Sequence, residues 1–362
     1  MNILWYGDNP VGATGLGLVS RYLVNSLVRD GHRVQVAAFN YFGIPYDHTT
    51  LLVEAIFPVT LPPDCYQDMT GASRVATIIR QISGHRLLNF RPDVVVIFND
   101  PYLFTEPISN DISMACASIG AKLISLFPID SHVDQGFLHL ARRSHAFGTY
   151  AYGKERIAEV DADLAERAFE IEHGVDRLVY RPPNEDERSK IKRLRTNLLP
   201  KGKELLLLYV GANSPRKDIP SLLQCFSHVI KQVPEACLFL KTNMDRSIQY
   251  GLNLYSIIDH LSLRRMHDVI WLGGVQTDAY LPEESIVLFY WASDLLVNAT
   301  LAEGWGLPAC EAMACGTAVA VSNNTTPAKI HDPDVAYMLP VDSIGRILFD
   351  QHEFIRYPID IV

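Results

Sequence analysis

The chain has 362 residues, too many for one ordinary hydrophobic core and suited to two domains. Hydrophobic residues make up 48% and charged residues 20%, the composition of a soluble globular protein. The net charge of −9 excludes a surface that coats nucleic acid broadly, but not a local basic pocket, which needs only a few cations. The six cysteines, Cys65, Cys116, Cys225, Cys237, Cys310 and Cys315, form no C-x-x-C pair. That argues against a zinc site or a disulfide framework and for a reducing, cytoplasmic setting. The N-terminus opens directly into a strand-like run and shows no signal peptide. The longest apolar runs, such as 205–210, fall far short of the roughly 20 residues of a membrane span, which leaves only peripheral membrane contact open.

Along the chain, short apolar runs alternate with helix-like segments, the pattern of parallel α/β domains. Ile3 to Tyr6 reads as a first buried strand, residues 7–17 as a glycine-rich loop, and Val19 to Val28 as a helix stopped by Gly31. Val34 to Phe39 is the next strand. Residues 40–72 read as irregular, and Ala76 to Asn89 as helical. Asp93 to Phe98 and Lys122 to Phe127 read as strands covered on both faces, and Ala146 to Thr149 as a short one. Lys154 to Ala158 reads as helical and Phe169 to Glu172 as a strand.

Residues 181–203, with Pro182, Pro183, many charges, Pro200 and Gly202, are the expected linker, after a first domain of residues 1–180. The alternation then restarts for a second domain, residues 204–345. Strands are expected at Leu205 to Val210, Cys237 to Lys241, Val269 to Leu272, Leu295 to Asn298 and Ala318 to Val321. Helices are expected at Pro220 to Val233, 253–264, Ile286 to Ala292 and Pro308 to Ala314. Residues 346–362 read as an irregular tail. Two successive strand–loop–helix arrays predict two Rossmann-like domains facing across a cleft, with ligands at the carboxyl ends of the strands.

The strongest chemical signal is Glu303-Gly304-Trp305-Gly306-Leu307-Pro308-Ala309-Cys310-Glu311. The first carboxylate sits in a loop after a strand and the second in the first turn of the following helix. Gly304 and Gly306 let the backbone approach a ligand, and Pro308 suits the first helical turn. Two glutamates at this spacing alone would be no more than an acidic helix start answering the helix dipole. The complete string resembles the E-x7-E signature of the retaining family-4 glycosyltransferases of GT-B fold. Gly211-Ala212-Asn213-Ser214-Pro215-Arg216-Lys217-Asp218 resembles that family's phosphate-binding loop, although Ala212 stands where many relatives carry arginine. Ile171-Glu172-His173-Gly174-Val175-Asp176 with Tyr180-Arg181-Pro182, and Gly31-His32-Arg33-Val34, resemble two further family segments.

The resemblance implies that Glu311 holds the ribose hydroxyls of a nucleotide-sugar donor and that Glu303 contacts the transferred sugar. A carboxylate can accept two hydrogen bonds from vicinal hydroxyls. Arg216 and Lys217 are expected to answer the charge on the diphosphate leaving group. Gly211, Asn213, Gly304, Trp305, Gly306 and Leu307 are expected to line the donor site. Gly12-Ala13-Thr14-Gly15-Leu16-Gly17 opens a helix and offers a second phosphate-facing loop through Gly15 and Gly17. It lacks the third glycine of a dinucleotide fingerprint, and Asn40 ends the second strand where an acidic ribose ligand would stand, so a nicotinamide cofactor is rejected. Asp130 and His132, ending a buried strand, are the candidate sugar or acceptor contacts. Asn298 and Thr300 are candidates to shape the pocket, and His173 reads as structural.

The implied activity is retaining sugar transfer from a nucleotide-diphosphate sugar to a sugar, lipid-linked or other hydroxyl acceptor by front-face displacement. No D-x-D motif lies in a fitting loop, so neither a metal nor a separate cofactor is expected. Relatives usually finish with a helix crossing back to the first domain, and residues 345–362 do not read as one. The alternatives are a non-catalytic nucleotide-sugar-binding protein of the same fold, or a GT-B nucleotide-sugar epimerase.

Overall fold

A computed structural model describes residues 1–12, 14–59, 71–84, 89–244, 251–272 and 283–340, and the backbone alone of 345–349 and 352–356. The chain divides into two compact units. The first holds residues 1–129 and 133–172, and the second holds residues 130–132 and 173–362.

The first unit runs β1 (Asn2–Asp8), α1 (Gly15–Arg29), β2 (Arg33–Phe39), β3 (Ala55–Pro58), α2 (Val75–Gly84), β4 (Val94–Phe98), α3 (Glu106–Ile119), β5 (Lys122–Phe127), α4 (His139–Arg143), β6 (Ala146–Thr149), α5 (Ala151–Ala158), α6 (Ala162–Arg167) and β7 (Ala168–Glu170). The strands form one parallel sheet in the order β3-β2-β1-β4-β5-β6-β7. Its central strands are apolar on both pleat faces because both are covered. Leu4, Tyr6, Val95, Ile97, Leu123 and Phe127 face α2 and α3 in one continuous core.

Helix α1 starts a turn earlier than expected because Thr14 caps it, its hydroxyl accepting from the Gly17 N–H at 3.0 Å. The stretch 40–72 is not wholly irregular: β3 adds an edge strand there, half-buried along its length. Of the predicted helix Ala76 to Asn89, residues 85–88 lie outside the described residues, as does Cys65.

The second unit runs α7 (Glu185–Leu198), β8 (Leu205–Val210), α8 (Ile219–Gln232), β9 (Ala236–Lys241), α9 (Leu254–His260), β10 (Val269–Trp271), α10 (Glu283–Ala292), β11 (Leu295–Asn298), α11 (Leu307–Ala314), β12 (Ala318–Ser322), α12 (Pro327–Ile330) and β13 (Tyr337–Leu339). The strand order is β10-β9-β8-β11-β12-β13, again all parallel. Successive residues feed opposite faces: Leu206, Leu208 and Leu296 pack with α10 and α11, while Tyr209, Leu238 and Val297 pack with α8 and α9.

Residues 185–198, inside the expected linker, form α7. A capping box starts it: the Asn184 side chain accepts from the Glu187 N–H at 2.9 Å, and the Glu187 carboxylate accepts from the Asn184 N–H at 2.7 Å. The tail is not irregular either. Its backbone forms an antiparallel hairpin, β14 (Gly345–Phe349) with β15 (His352–Arg356).

Candidate functional site

The second sheet reverses its strand order between β8 and β11, and ligands of open parallel sheets bind beyond the carboxyl ends of such neighbours. Residues 211–218 leave β8 and residues 299–306 leave β11. The first loop is fixed by its own residues. A Cβ on Gly211 would lie 2.7 Å from the hydroxyl of buried Tyr209, so a side chain there would displace that ring. Asn213 is a fastener: its Nδ2 donates to the Leu252 carbonyl at 2.6 Å and its Oδ1 accepts from the Leu252 N–H at 3.2 Å. The short turn Pro215–Lys217 then presents Arg216 and Lys217.

The second loop brings Glu303 to these two cations. Glu303 is 5% exposed. Its Oε2 accepts from Arg216 Nη1 at 3.2 Å, and its Oε1 accepts from the Lys217 ammonium. Arg216 also donates to the Ala302 carbonyl at 2.6 Å, and its own carbonyl accepts from the Leu301 N–H at 2.9 Å. Asp130, which groups with the second unit, places Oδ2 3.3 Å from Arg216 Nη1. Four residues expected from sequence therefore meet as two cations and two carboxylates. Arg216 and Lys217, the residues expected to answer a diphosphate's charge, are each paired with a carboxylate in this structure. Burial alone would raise the Glu303 pKa, but Lys217 and Arg216 outweigh it and hold it below the ordinary glutamate value. His132 is half-buried, and its side chain makes no ion pair with the cluster among the described residues.

Glu311 has a different setting. Gly306, at φ +90°, caps α11, a conformation that favours glycine, and Pro308 follows in the first turn. Glu311 then points inward at 7% exposure and accepts from the Tyr290 hydroxyl at 2.5 Å. Tyr180 donates to Glu283 at 3.2 Å in the same neighbourhood. Burial pushes the Glu311 carboxyl up to about 7, with Glu283 adding to the rise against the tyrosine hydrogen bonds. Gly304 and Leu307 are half-buried. Trp305 packs against His173, ring centroids 5.3 Å apart, and burial drives His173 down to about 4, leaving it neutral.

Sequence reasoning missed the strap that holds the Glu303 loop. Asn324 Nδ2 donates to the carbonyls of Thr300 at 3.1 Å and Leu301 at 3.0 Å. The Thr300 N–H reaches Ser322 Oγ at 2.9 Å, and the Glu303 N–H reaches Thr325 Oγ1 at 3.1 Å. The polar run Asn323-Asn324-Thr325-Thr326 after β12 was its only signal. Around the two loops, Tyr209 OH, Asn298 Nδ2 and Thr300 Oγ1 are buried with no hydrogen-bond partner among the described residues. Such orphans are what a polar ligand would satisfy.

The first sheet reverses between β1 and β4, and the glycine loop leaves β1 at that point. Asp8, also missed from sequence, is buried at the end of β1. It accepts from the Thr14 hydroxyl and, at 2.9 Å, from the Asn9 N–H. Burial raises its pKa against those bonds. Gly15 is exposed at the first position of α1. A Cβ on Gly17 would sit 2.4 Å from the Asn9 carbonyl, so glycine is required there. Asn99 Nδ2, just past β4, is a further buried orphan.

Residues 190–343 match the family Glycosyl transferases group 1. O-antigen chain mannosyltransferase B of Escherichia coli is 31% identical over 127 residues, 33% of this chain. The match spans 29% of that relative's length. Among solved structures, sucrose-phosphate synthase from Thermosynechococcus elongatus aligns with a TM-score of 0.70 at 17% identity, over 94% of this chain and 86% of that one. The catalytic domain of starch synthase IV from Arabidopsis thaliana, bound to ADP and acarbose, gives 0.66 at 13% identity, over 94% and 88%. Anabaena Alr3699/HepE in complex with UDP-glucose gives 0.61 at 16% identity, over 92% and 83%. With the sheet orders above, these likenesses show that the chain has the GT-B fold of two parallel-sheet α/β units, and that its residues 190–343 match a glycosyl transferases group 1 domain.

Proposed function

We propose that the chain transfers a sugar from a nucleoside-diphosphate sugar to an acceptor hydroxyl, with retention at the anomeric carbon and without a metal ion. The observation that carries this reading is the cluster of Glu303, Arg216 and Lys217 at the carboxyl ends of β8 and β11, inside a glycosyl transferases group 1 domain. The diphosphate-bearing ligands named for the HepE and starch synthase IV structures support a donor of that class.

As the sugar–phosphate bond breaks, negative charge develops on the diphosphate. The Arg216 guanidinium and Lys217 ammonium stabilise it in a site screened from water. The acceptor oxygen bonds to the anomeric carbon on the face the phosphate leaves, and its proton passes to the departing phosphate oxygen. Glu303 accepts hydrogen bonds from the transferred sugar and Glu311 from the ribose hydroxyls. Asp130 is the acceptor-side carboxylate, with His132 a further acceptor contact. The amides at the start of α1, near Gly15 and Gly17, offer a second anion-binding helix end. The acceptor is a sugar or lipid-linked hydroxyl.

The metal-free reading rests on the sequence, which places no D-x-D motif in a fitting loop. The free thiols of Cys116, Cys225, Cys237, Cys310 and Cys315 support a cytoplasmic setting. Titration calorimetry with uridine, guanosine and adenosine diphosphate sugars tests the donor assignment. One donor should bind the wild type, weaken in Glu311→Ala, and turn over with an acceptor in the presence of a chelator. A folded protein that binds no nucleotide sugar would overturn the reading. Binding without turnover across an acceptor panel would leave a sugar-nucleotide-binding protein instead.

A further inference from the structure

A cavity of about 750 Å³ lies between α7 and the 199–204 turn and shares no residue with the Glu303 cluster. Its volume falls in the roughly 300–1,000 Å³ range of small-ligand sites. Five cations line it, Arg188, Lys192, Arg195, Lys201 and Lys203, against one carboxylate, Glu204. That concentration is notable in a chain of net charge −9.

The five do not have the same work. Arg195 holds the Asp294 carboxylate at 2.9 Å and the carbonyls of Ala292 and Glu204, each at 2.6 Å. Lys203 is buried on Asp268 and the Pro234 carbonyl, both at 2.8 Å. These two serve the fold. Lys192 and Lys201 are exposed and make no ion pair among the described residues. Among the described residues Arg188 pairs only with exposed Glu185, at 3.8 Å. The three rim cations crowd like charge around one opening, a cost that a bound anion would reverse. The wall is apolar. Trp291 lines the cavity with its indole N–H already satisfied by the Arg181 carbonyl at 2.6 Å, and Ile191 and Leu199 complete the lining. Cations at a rim over an aromatic and aliphatic wall match a phosphate carried on an apolar or planar body.

We infer that this cavity binds an organic phosphate through Arg188, Lys192 and Lys201, independently of the donor site. The phosphate belongs either to a free small molecule or to a lipid headgroup. The test uses inorganic pyrophosphate as probe, by calorimetry, in the full chain carrying Arg216→Ala so that binding at the Glu303 cluster is suppressed. Binding should persist in that background and weaken with added salt. It should fall by about tenfold or more when Arg188→Gln, Lys192→Gln and Lys201→Gln are introduced together, because each removes a charge-assisted contact. These positions are exposed, so the melting temperature should stay unchanged and a loss of binding cannot be misfolding. Co-sedimentation with phosphatidylcholine vesicles, with and without phosphatidylglycerol, identifies the source. Retention on the anionic vesicles that the triple variant loses assigns the headgroup, and pyrophosphate binding without retention assigns a soluble phosphate. No pyrophosphate binding in the Arg216→Ala chain, or binding that the triple variant leaves intact, overturns the inference.

Discussion

Glu303 and Glu311 belong to one nine-residue string and are both nearly inaccessible, yet their surroundings push them in opposite directions. Glu303 stands among cations, and Arg216 and Lys217 keep it ionised in spite of burial. Glu311 stands among phenols and another carboxylate, and burial lifts it to about 7. Equal burial therefore does not mean equal protonation. What differs is whether a neighbouring element supplies opposite charge, as the loop after β8 does for Glu303, or a hydroxyl and a like charge, as α10 does for Glu311 through Tyr290 and Glu283.

The largest way to break this contrast is Glu303→Gln. It removes one of the two carboxylates on Arg216 and strips the paired carboxylate from Lys217, whose side chain is 13% exposed. Removing one partner of a buried pair costs about 3–5 kcal/mol. The expected outcome is a marked fall in melting temperature together with loss of sugar transfer. An unchanged melting temperature would show that the cluster contributes little to the native state.

Glu311→Gln should act through pH. A carboxyl raised from 4.5 to about 7 keeps its proton in the folded chain across a window where the unfolded chain has lost it. Stability then falls as pH rises through that window, by on the order of 3 kcal/mol in total, and is flat above it. The glutamine variant lacks this fall, so its advantage over the wild type should grow through the window and then level off. His173 acts with the opposite sign: it is lowered from 6.5 to about 4, so stability is lost as pH falls through that range. Both proteins carry His173, so the difference between their melting curves removes its effect. Donor affinity should also rise through about pH 7 in the wild type, because only the carboxylate accepts from both ribose hydroxyls.

This contrast could not be read from the sequence. The spacing of Glu303 and Glu311 marks a site, but Arg216 lies 87 positions from Glu303, and Tyr290 lies 21 positions from Glu311 on another helix. The strands were legible because buried parallel strands are nearly continuous apolar runs, as 205–210 and 94–98 are. Helix α7 was not, because only Ile191 is fully buried and the rest reads as a charged linker. Edge strand β3 was obscured by its four-residue length and partial burial. Helix α3 buries only Ser109, Ile112, Ala115 and Cys116, too small and mixed a set to mark a period. Asp8, Asn324 and Thr325 act through one or two individual hydrogen bonds each, which leave no periodic trace.

The smallest effect sharpens the comparison by removing burial alone. Arg80 and Asp111 join α2 to α3 at 2.6 Å, a shorter approach than Arg216 makes to Glu303, but their side chains are 44% and 47% exposed. Water screens both charges and solvates either one when the other is gone. Arg80→Ala should therefore cost less than about 1 kcal/mol, and that small cost should fade with added salt. Denaturant melts of the variant at low and high ionic strength measure it. A loss comparable to that of Glu303→Gln would mean that distance, not burial, sets the strength of ion pairs in this fold, and the contrast between the two glutamates would lose its physical basis.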